Sequence, residues 1–192
     1  MRYEIRLSGM GGQGLLLAGI IVAEAAMAQG LYVVQTASYG PESRGGASSS
    51  EVIISDSDID YPAVIKADFL LAMTEEAAGK FLPAVNPDGI ALLDSTWVKH
   101  PPESVVKEQL SYPLTETAIA KYEKGIFANI IGLGIMCKAS GIIKPELLEK
   151  ALLARVPKHY KEANTLALHL GLEIYESGAV VRHDGVKTTI SD

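Results

Sequence analysis

The sequence has 192 residues, 48% of them hydrophobic and 21% charged, a balance that excludes disordered, collagen-like and coiled-coil classes. A chain of this length buries roughly 70% of its unfolded surface and needs no covalent staples. Its formal charge of −6 argues against a nucleic-acid partner, and its one cysteine, Cys137, is too few for a disulfide or an iron-sulfur cluster, which takes about four thiolates.

In chain order, Tyr3 to Ser8 alternates as a strand and runs into Gly9-Met10-Gly11-Gly12-Gln13-Gly14. Leu15 to Gln29 carries one charge, Glu24, and stops at Gly30, which predicts a buried helix. Leu31 to Gln35 is a second strand, so the opening reads as strand, glycine loop, helix and strand, the unit of a parallel pair with a right-handed crossover. Thr36 to Ser50 is rich in glycine and serine and reads as a loop, followed by a third strand at Glu51 to Ser55. Tyr61 to Lys66 is a short helix candidate. Phe69 to Met73 and Ile90 to Asp94 are strands, with a helix at Glu75 to Leu82 between them and a turn at Pro87-Asp88-Gly89.

From Leu114 the pattern is helical: Leu114 to Lys124, Ile126 to Ala139, Pro145 to Arg155 and Lys158 to Glu176. Residues 178–192 have no clear period and read as a tail or an edge strand. The expected fold is α/β, an open and mostly parallel sheet with flanking helices, Rossmann-like, with a helical C-terminal part. An acid near the N-terminus (Glu4) and a longest uncharged apolar run of Gly14 to Ala23 predict neither a signal peptide nor a membrane span, hence a cytoplasmic protein.

Charge is unevenly placed. Between Ile5 and Ser50 the only charged residues are Arg6, Glu24, Glu42 and Arg44, which suggests that part of this region is covered by a partner. Gly9, Gly11 and Gly14 satisfy G-x-G-x-x-G between a strand and a helix, where backbone N–H groups can face a pyrophosphate. No acid stands at the end of the second strand to hold a ribose, and no lysine follows the glycines before Lys66, which excludes a G-x-x-x-x-G-K phosphate loop. Three readings stay open for this loop: tight packing with a backbone contact to another chain, an anionic ligand such as a coenzyme A pyrophosphate, or a dinucleotide. Elsewhere, Cys137 and the four histidines lack catalytic or metal spacing, and Trp97 is a candidate partner anchor.

The most specific segment is Tyr39-Gly40-Pro41-Glu42-Ser43-Arg44-Gly45-Gly46. With the first glycine loop through Gln13, Ser55-Asp56, Asp68, Ala72-Met73, Asp94-Ser95, Asn129 and Asn164, it resembles the gamma subunit of 2-oxoacid:ferredoxin oxidoreductases over residues 2–177, leaving 178–192 outside. The resemblance implies one α/β domain without catalytic residues or metal of its own. It works in a complex that oxidatively decarboxylates a 2-oxoacid (2-oxoglutarate rather than pyruvate), makes an acyl-coenzyme A and reduces ferredoxin. Thiamine diphosphate, magnesium and iron-sulfur clusters are then expected in alpha, beta and delta-type partner subunits. Gly9, Gly11, Gly12, Gln13, Gly14, Tyr39, Gly40, Glu42, Arg44, Gly45 and Gly46 become candidates for contact with coenzyme A or with those partners. The competing expectations are a self-standing dinucleotide-binding oxidoreductase and a regulatory anion-binding module.

Overall fold

The computed structural model describes residues 1–39, 47–104 and 106–183. One sheet of seven strands organises them: β1 (Arg2–Met10), β2 (Tyr32–Tyr39), β3 (Ala47–Ser55), β4 (Ala67–Ala72), β5 (Val85–Asp94), β6 (Glu108–Tyr112) and β7 (Val181–His183). Their spatial order is β2-β3-β1-β4-β5-β6-β7. The centre, β1-β4-β5-β6, is parallel, whereas β3 is antiparallel to both β1 and β2, and β7 is antiparallel to β6.

The expected parallel pairing of the first two strands does not occur. β2 does run in the same direction as β1, but β3 lies between them, paired from Arg2↔Ser55 to Met10↔Ala47 on one side and from Tyr32↔Ser55 to Tyr39↔Ser48 on the other. The serine-rich stretch read as a loop supplies the ends of these strands, and Ser48, Ser49 and Ser50 are buried there.

Alternation along the central strands sends Ile5, Leu7, Phe69, Leu71 and Leu92 to one face and Leu70, Ala72, Ala91 and Leu93 to the other. The first face is covered by α1 (Leu15–Ala28), α4 (Ala128–Ser140) and α5 (Pro145–Arg155), with α3 (Leu114–Tyr122) and α6 (Lys161–Glu176) completing that side. The second is covered by α2 (Glu75–Phe81) through Ala77 and Ala78. Among the described residues no helix is long and apolar enough to cross a membrane.

Two local expectations fail for tertiary reasons, and one strand was not expected at all. Tyr61 to Lys66 is irregular rather than helical, because β1 engages its backbone: Arg2 donates to Tyr61 O (3.0 Å), Arg6 to Val64 O (2.7 Å), and Glu4 accepts from Ile65 N–H (3.2 Å). Pro87-Asp88-Gly89 lies inside β5, whose register against β4 shifts between Ala67 and Phe69 while Asn86 donates to Asp68 (3.0 Å). β6, only five residues long, has no sequence signature that separates it from the preceding loop. Val181–His183 forms the edge strand of the C-terminal segment, and residues 184–192 lie outside the described residues.

Two devices lock the helical side. Helices α4 and α6 approach to backbone contact at Gly134 and Gly171: a Cβ on Gly134 would sit 2.8 Å from Gly171 Cα and closer still to Leu168 O. Helix α3 starts after Pro113 without a capping side chain of its own, and Asp94, fully buried at the end of β5, caps it from a distance. Its carboxylate accepts from Thr115 N–H (3.2 Å), the Thr115 hydroxyl (2.5 Å) and Thr96 N–H (3.0 Å), and Thr96 Oγ1 in turn accepts from Glu116 N–H (3.0 Å).

Three stability changes follow. Asp94→Ala should lower the unfolding free energy by about 2 to 4 kcal/mol, since it strands three donors at once. Gly134→Ala should lower it by about 1 to 3 kcal/mol through overpacking. The exposed Gly79→Ala, which meets no atom within 4 Å, should instead raise it by about 0.4 to 1 kcal/mol. Urea titrations measure all three, and a neutral Gly134→Ala would contradict the close approach described.

Candidate functional site

In an open α/β sheet the chain leaves neighbouring strands toward opposite faces at one point, and the crevice beyond the strand ends there is the place for a ligand. Here that point lies between β1 and β4. From β1 the chain enters α1 on one face, and from β4 it enters α2 on the other. A cavity of about 640 Å³ opens at this edge. Its floor is the glycine loop from Gly9 to Gln13, and its walls include Thr74 and Glu75 after β4, Trp97 after β5, Thr115 of α3 and Ile126 before α4.

The glycine loop is braced from inside. Gln13 Oε1 accepts from Met10 N–H (2.7 Å) while its Nε2 donates to Met73 O (3.3 Å), so one side chain closes the loop and ties it to the end of β4. Gly12 (φ 94°) and Gly14 (φ 72°) occupy the left-handed region that favours glycine; Gly11 does not. Gly14 is also the cap of α1, and its carbonyl accepts from Asn129 Nδ2 of α4 (3.0 Å). A Cβ on Gly14 would stand 2.5 Å from that nitrogen, so both backbone conformation and space select glycine. Asn129 is 3% exposed, and its Oδ1 has no partner among the described residues.

The charge lining this cavity is acidic. Glu75 and Glu76 are its ionisable residues, and no lysine or arginine lines it among the described residues. Glu75 serves structure: its carboxylate accepts from Lys99 N–H (2.7 Å) and His100 N–H (2.9 Å), fastening the segment after β5. Thr74 caps α2 by accepting from Ala77 N–H (3.2 Å), and the Thr115 hydroxyl is committed to Asp94. Thr74, Thr115 and Glu75 are therefore all engaged. No nucleophile and base face each other among these residues. The remaining surface, from Met10, Trp97 and Ile126, is apolar and partly exposed, suited to an uncharged chain rather than to a phosphate.

Cys137 lies elsewhere, inside α4, where its thiol donates to Ile143 O (3.1 Å) and burial pushes its pKa up to about 11. That makes it a poor nucleophile at neutral pH. The four histidines are exposed, and His169 pairs with Glu149 (2.9 Å). Among the described residues no three His, Cys, Asp or Glu side chains are placed to hold a metal ion.

Of the sequence-derived candidates, Gly9, Gly11, Gly12 and Gln13 line the cavity, and Gly14 stands behind it as the helix cap. Gly40, Glu42, Arg44, Gly45 and Gly46 lie outside the described residues. Their flanking strand ends do not: Gly9 pairs with Ser48, and Ser48 with Tyr39, so the ends of β2 and β3 that flank residues 40–46 lie beside the start of the first glycine loop. Sequence reasoning missed Thr74, Glu75, Thr115, Gly125 and Ile126 as lining residues. For Thr74 and Glu75 the signal was available, because they directly follow an apolar strand.

A family model described as pyruvate ferredoxin/flavodoxin oxidoreductase matches residues 4–174. The 2-oxoglutarate synthase subunit KorC of Methanocaldococcus jannaschii is 44% identical over 178 residues, covering 91% of this chain and 94% of that protein. Among solved structures, the gamma subunit of a keto/oxoacid ferredoxin oxidoreductase from Geobacter sulfurreducens PCA is 43% identical with a TM-score of 0.83, over 92% of this chain and 98% of that one. The pyruvate oxidoreductase subunit PORC of Thermotoga maritima is 26% identical with a TM-score of 0.77, over 95% and 99%. With its glycine loop, its cavity at the strand ends and its helical C-terminal side all inside the matched span, the chain belongs to the pyruvate ferredoxin/flavodoxin oxidoreductase family, as a chain of the gamma-subunit kind.

Proposed function

We propose that this chain is the noncatalytic gamma subunit of a cytoplasmic 2-oxoglutarate:ferredoxin oxidoreductase. The observation that carries this reading is the end-to-end likeness to a 2-oxoglutarate synthase subunit, 44% identical across 94% of that protein. Residues 2–177 act as one gamma-type domain, with 178–192 as an appendage to it. Alpha, beta and delta-type subunits supply thiamine diphosphate, magnesium and the iron-sulfur clusters, and the complex passes electrons to ferredoxin. A lone, buried and weakly acidic thiol fits a chain whose redox chemistry is held by its neighbours.

The cavity at the glycine loop is where this subunit meets coenzyme A or the partner segment that holds it. An apolar lining with acids and, among the described residues, no lysine or arginine suits the uncharged arm that bears the thiol better than the phosphorylated nucleotide. The nucleotide end requires a cation from elsewhere, and Arg44 is the nearest in sequence to the two loops. A self-standing dinucleotide enzyme is disfavoured by topology. A ribose clamp belongs at the end of a second strand adjacent to the first, and here β3 occupies that place.

Co-expression of this chain with its partner subunits should give 2-oxoglutarate- and coenzyme A-dependent reduction of ferredoxin, with no turnover by the chain alone. In the assembled enzyme, Arg44→Ala should raise the KM for coenzyme A by about tenfold or more while leaving the melting temperature of the isolated chain nearly unchanged. Stoichiometric NAD in the purified chain, or turnover without partners, would overturn the subunit reading. Coenzyme A affinity retained by the lone chain in an assembly-free system would favour a regulatory anion-binding module.

A further inference from the structure

The two edges of the sheet are built differently. β7 is three residues long and carries Arg182 and His183, with Arg182 paired to Glu108 (2.9 Å), which are the ordinary devices that stop an edge from recruiting another strand. β2 has none of them. It is eight residues long, Tyr32-Val33-Val34-Gln35-Thr36-Ala37-Ser38-Tyr39, without charge or proline, and its register against β3 runs unbroken from Tyr32↔Ser55 to Tyr39↔Ser48. Among the described residues no strand covers its outer side. Tyr32, half exposed, and Thr36, Ala37 and Ser38 lie open along it.

The described chain ends at His183 on the opposite side of the sheet, six strand spacings or about 29 Å away.

From these observations we infer that β2 is an interface strand that pairs antiparallel with β2 of a second copy of this chain, making one continuous sheet across a twofold axis. An antiparallel strand edge is complementary to itself, because the same N–H and C=O groups face each other after the rotation. Charge selects this occupant too. The chain as a whole is acidic, at −6, yet no charged residue stands between Glu24 and Glu42, so two copies meet here without the like-charge repulsion that the rest of their surfaces would impose. This pairing is independent of which 2-oxoacid the complex uses, and the lone chain suffices to test it.

The experiment is sedimentation equilibrium of the full chain over a concentration series, beside a Thr36→Lys/Ser38→Lys variant, with amide exchange of residues 32–39 followed in both. The wild-type chain should form a dimer, with β2 amides that exchange more slowly as concentration rises. The variant should keep its circular dichroism and unfolding midpoint while its dimer dissociation constant rises by at least about tenfold. A wild-type chain that stays monomeric throughout, or a dimer indifferent to both lysines, overturns the proposal. So does protection of β2 that arises only when partner subunits are added, which would give the edge to a different chain.

Discussion

Helix α4 has almost no face to water: from Ala128 to Cys137 every residue is buried, and the glycine loop that floors the cavity is held from its first turn. A helix apolar all round can exist only inside other structure, so its burial requires the sheet on one side and a second helical layer on the other. Gly132 admits Leu71 of β4, and Gly134 admits the backbone of α6, which lets three layers stack at less than ordinary spacing. Its first turn then delivers Asn129, whose amide reaches 115 residues back to the carbonyl of Gly14. The glycine loop is thus held by a side chain from the far half of the sequence. The loop and the helical region form a single mechanical unit.

The opposite face of β1 is held by polar contacts where one expects oil. Arg6 is 6% exposed, and its guanidinium is shared among the Glu51 carboxylate (2.8 Å), the Val64 carbonyl (2.7 Å) and the ring of Phe81 (4.6 Å to the centroid). A buried charge is tolerable only with such full satisfaction. Arg6 thereby joins the small cluster around Ile53 and Val64 to the one beneath α2, and it keeps the segment before β4 extended. Arg2 and Glu4 hold the same segment from farther along the strand, so β1 is apolar toward α4 and polar toward the 61–65 segment.

What could be read directly from the sequence was what local chemistry decides. The glycine loop between strand and helix, the apolar run of α1, the helices from Leu114 onward and the lone cysteine each carry their own signal. What could not be read was decided by partners distant in sequence. Nothing in Tyr61 to Lys66 announces that two arginines of β1 will take up its carbonyls. The insertion of β3 beside β1 was hidden because serines fill its first half, and serine reads as loop until a neighbouring strand and α1 bury it. Around the cavity the glycines were legible by type, whereas Thr74 and Thr115 are ordinary threonines whose place comes only from where β4 and α3 happen to converge.

The antiparallel position of β3 changes what kind of connection the Tyr39-to-Ala47 segment is. In a sheet wound throughout by crossovers, a loop at the ligand edge leads into a helix that must repack on the sheet, so its length is constrained by the whole layer. Here β2 and β3 are hydrogen-bonded neighbours that run in opposite directions, and β3 begins beside the end of β1. Residues can be added to, removed from or exchanged in a connection between such neighbours without rethreading the chain or moving a helix. The length of the chain between these two strands is therefore set by the strand ends alone, independently of the α4-centred scaffold behind them.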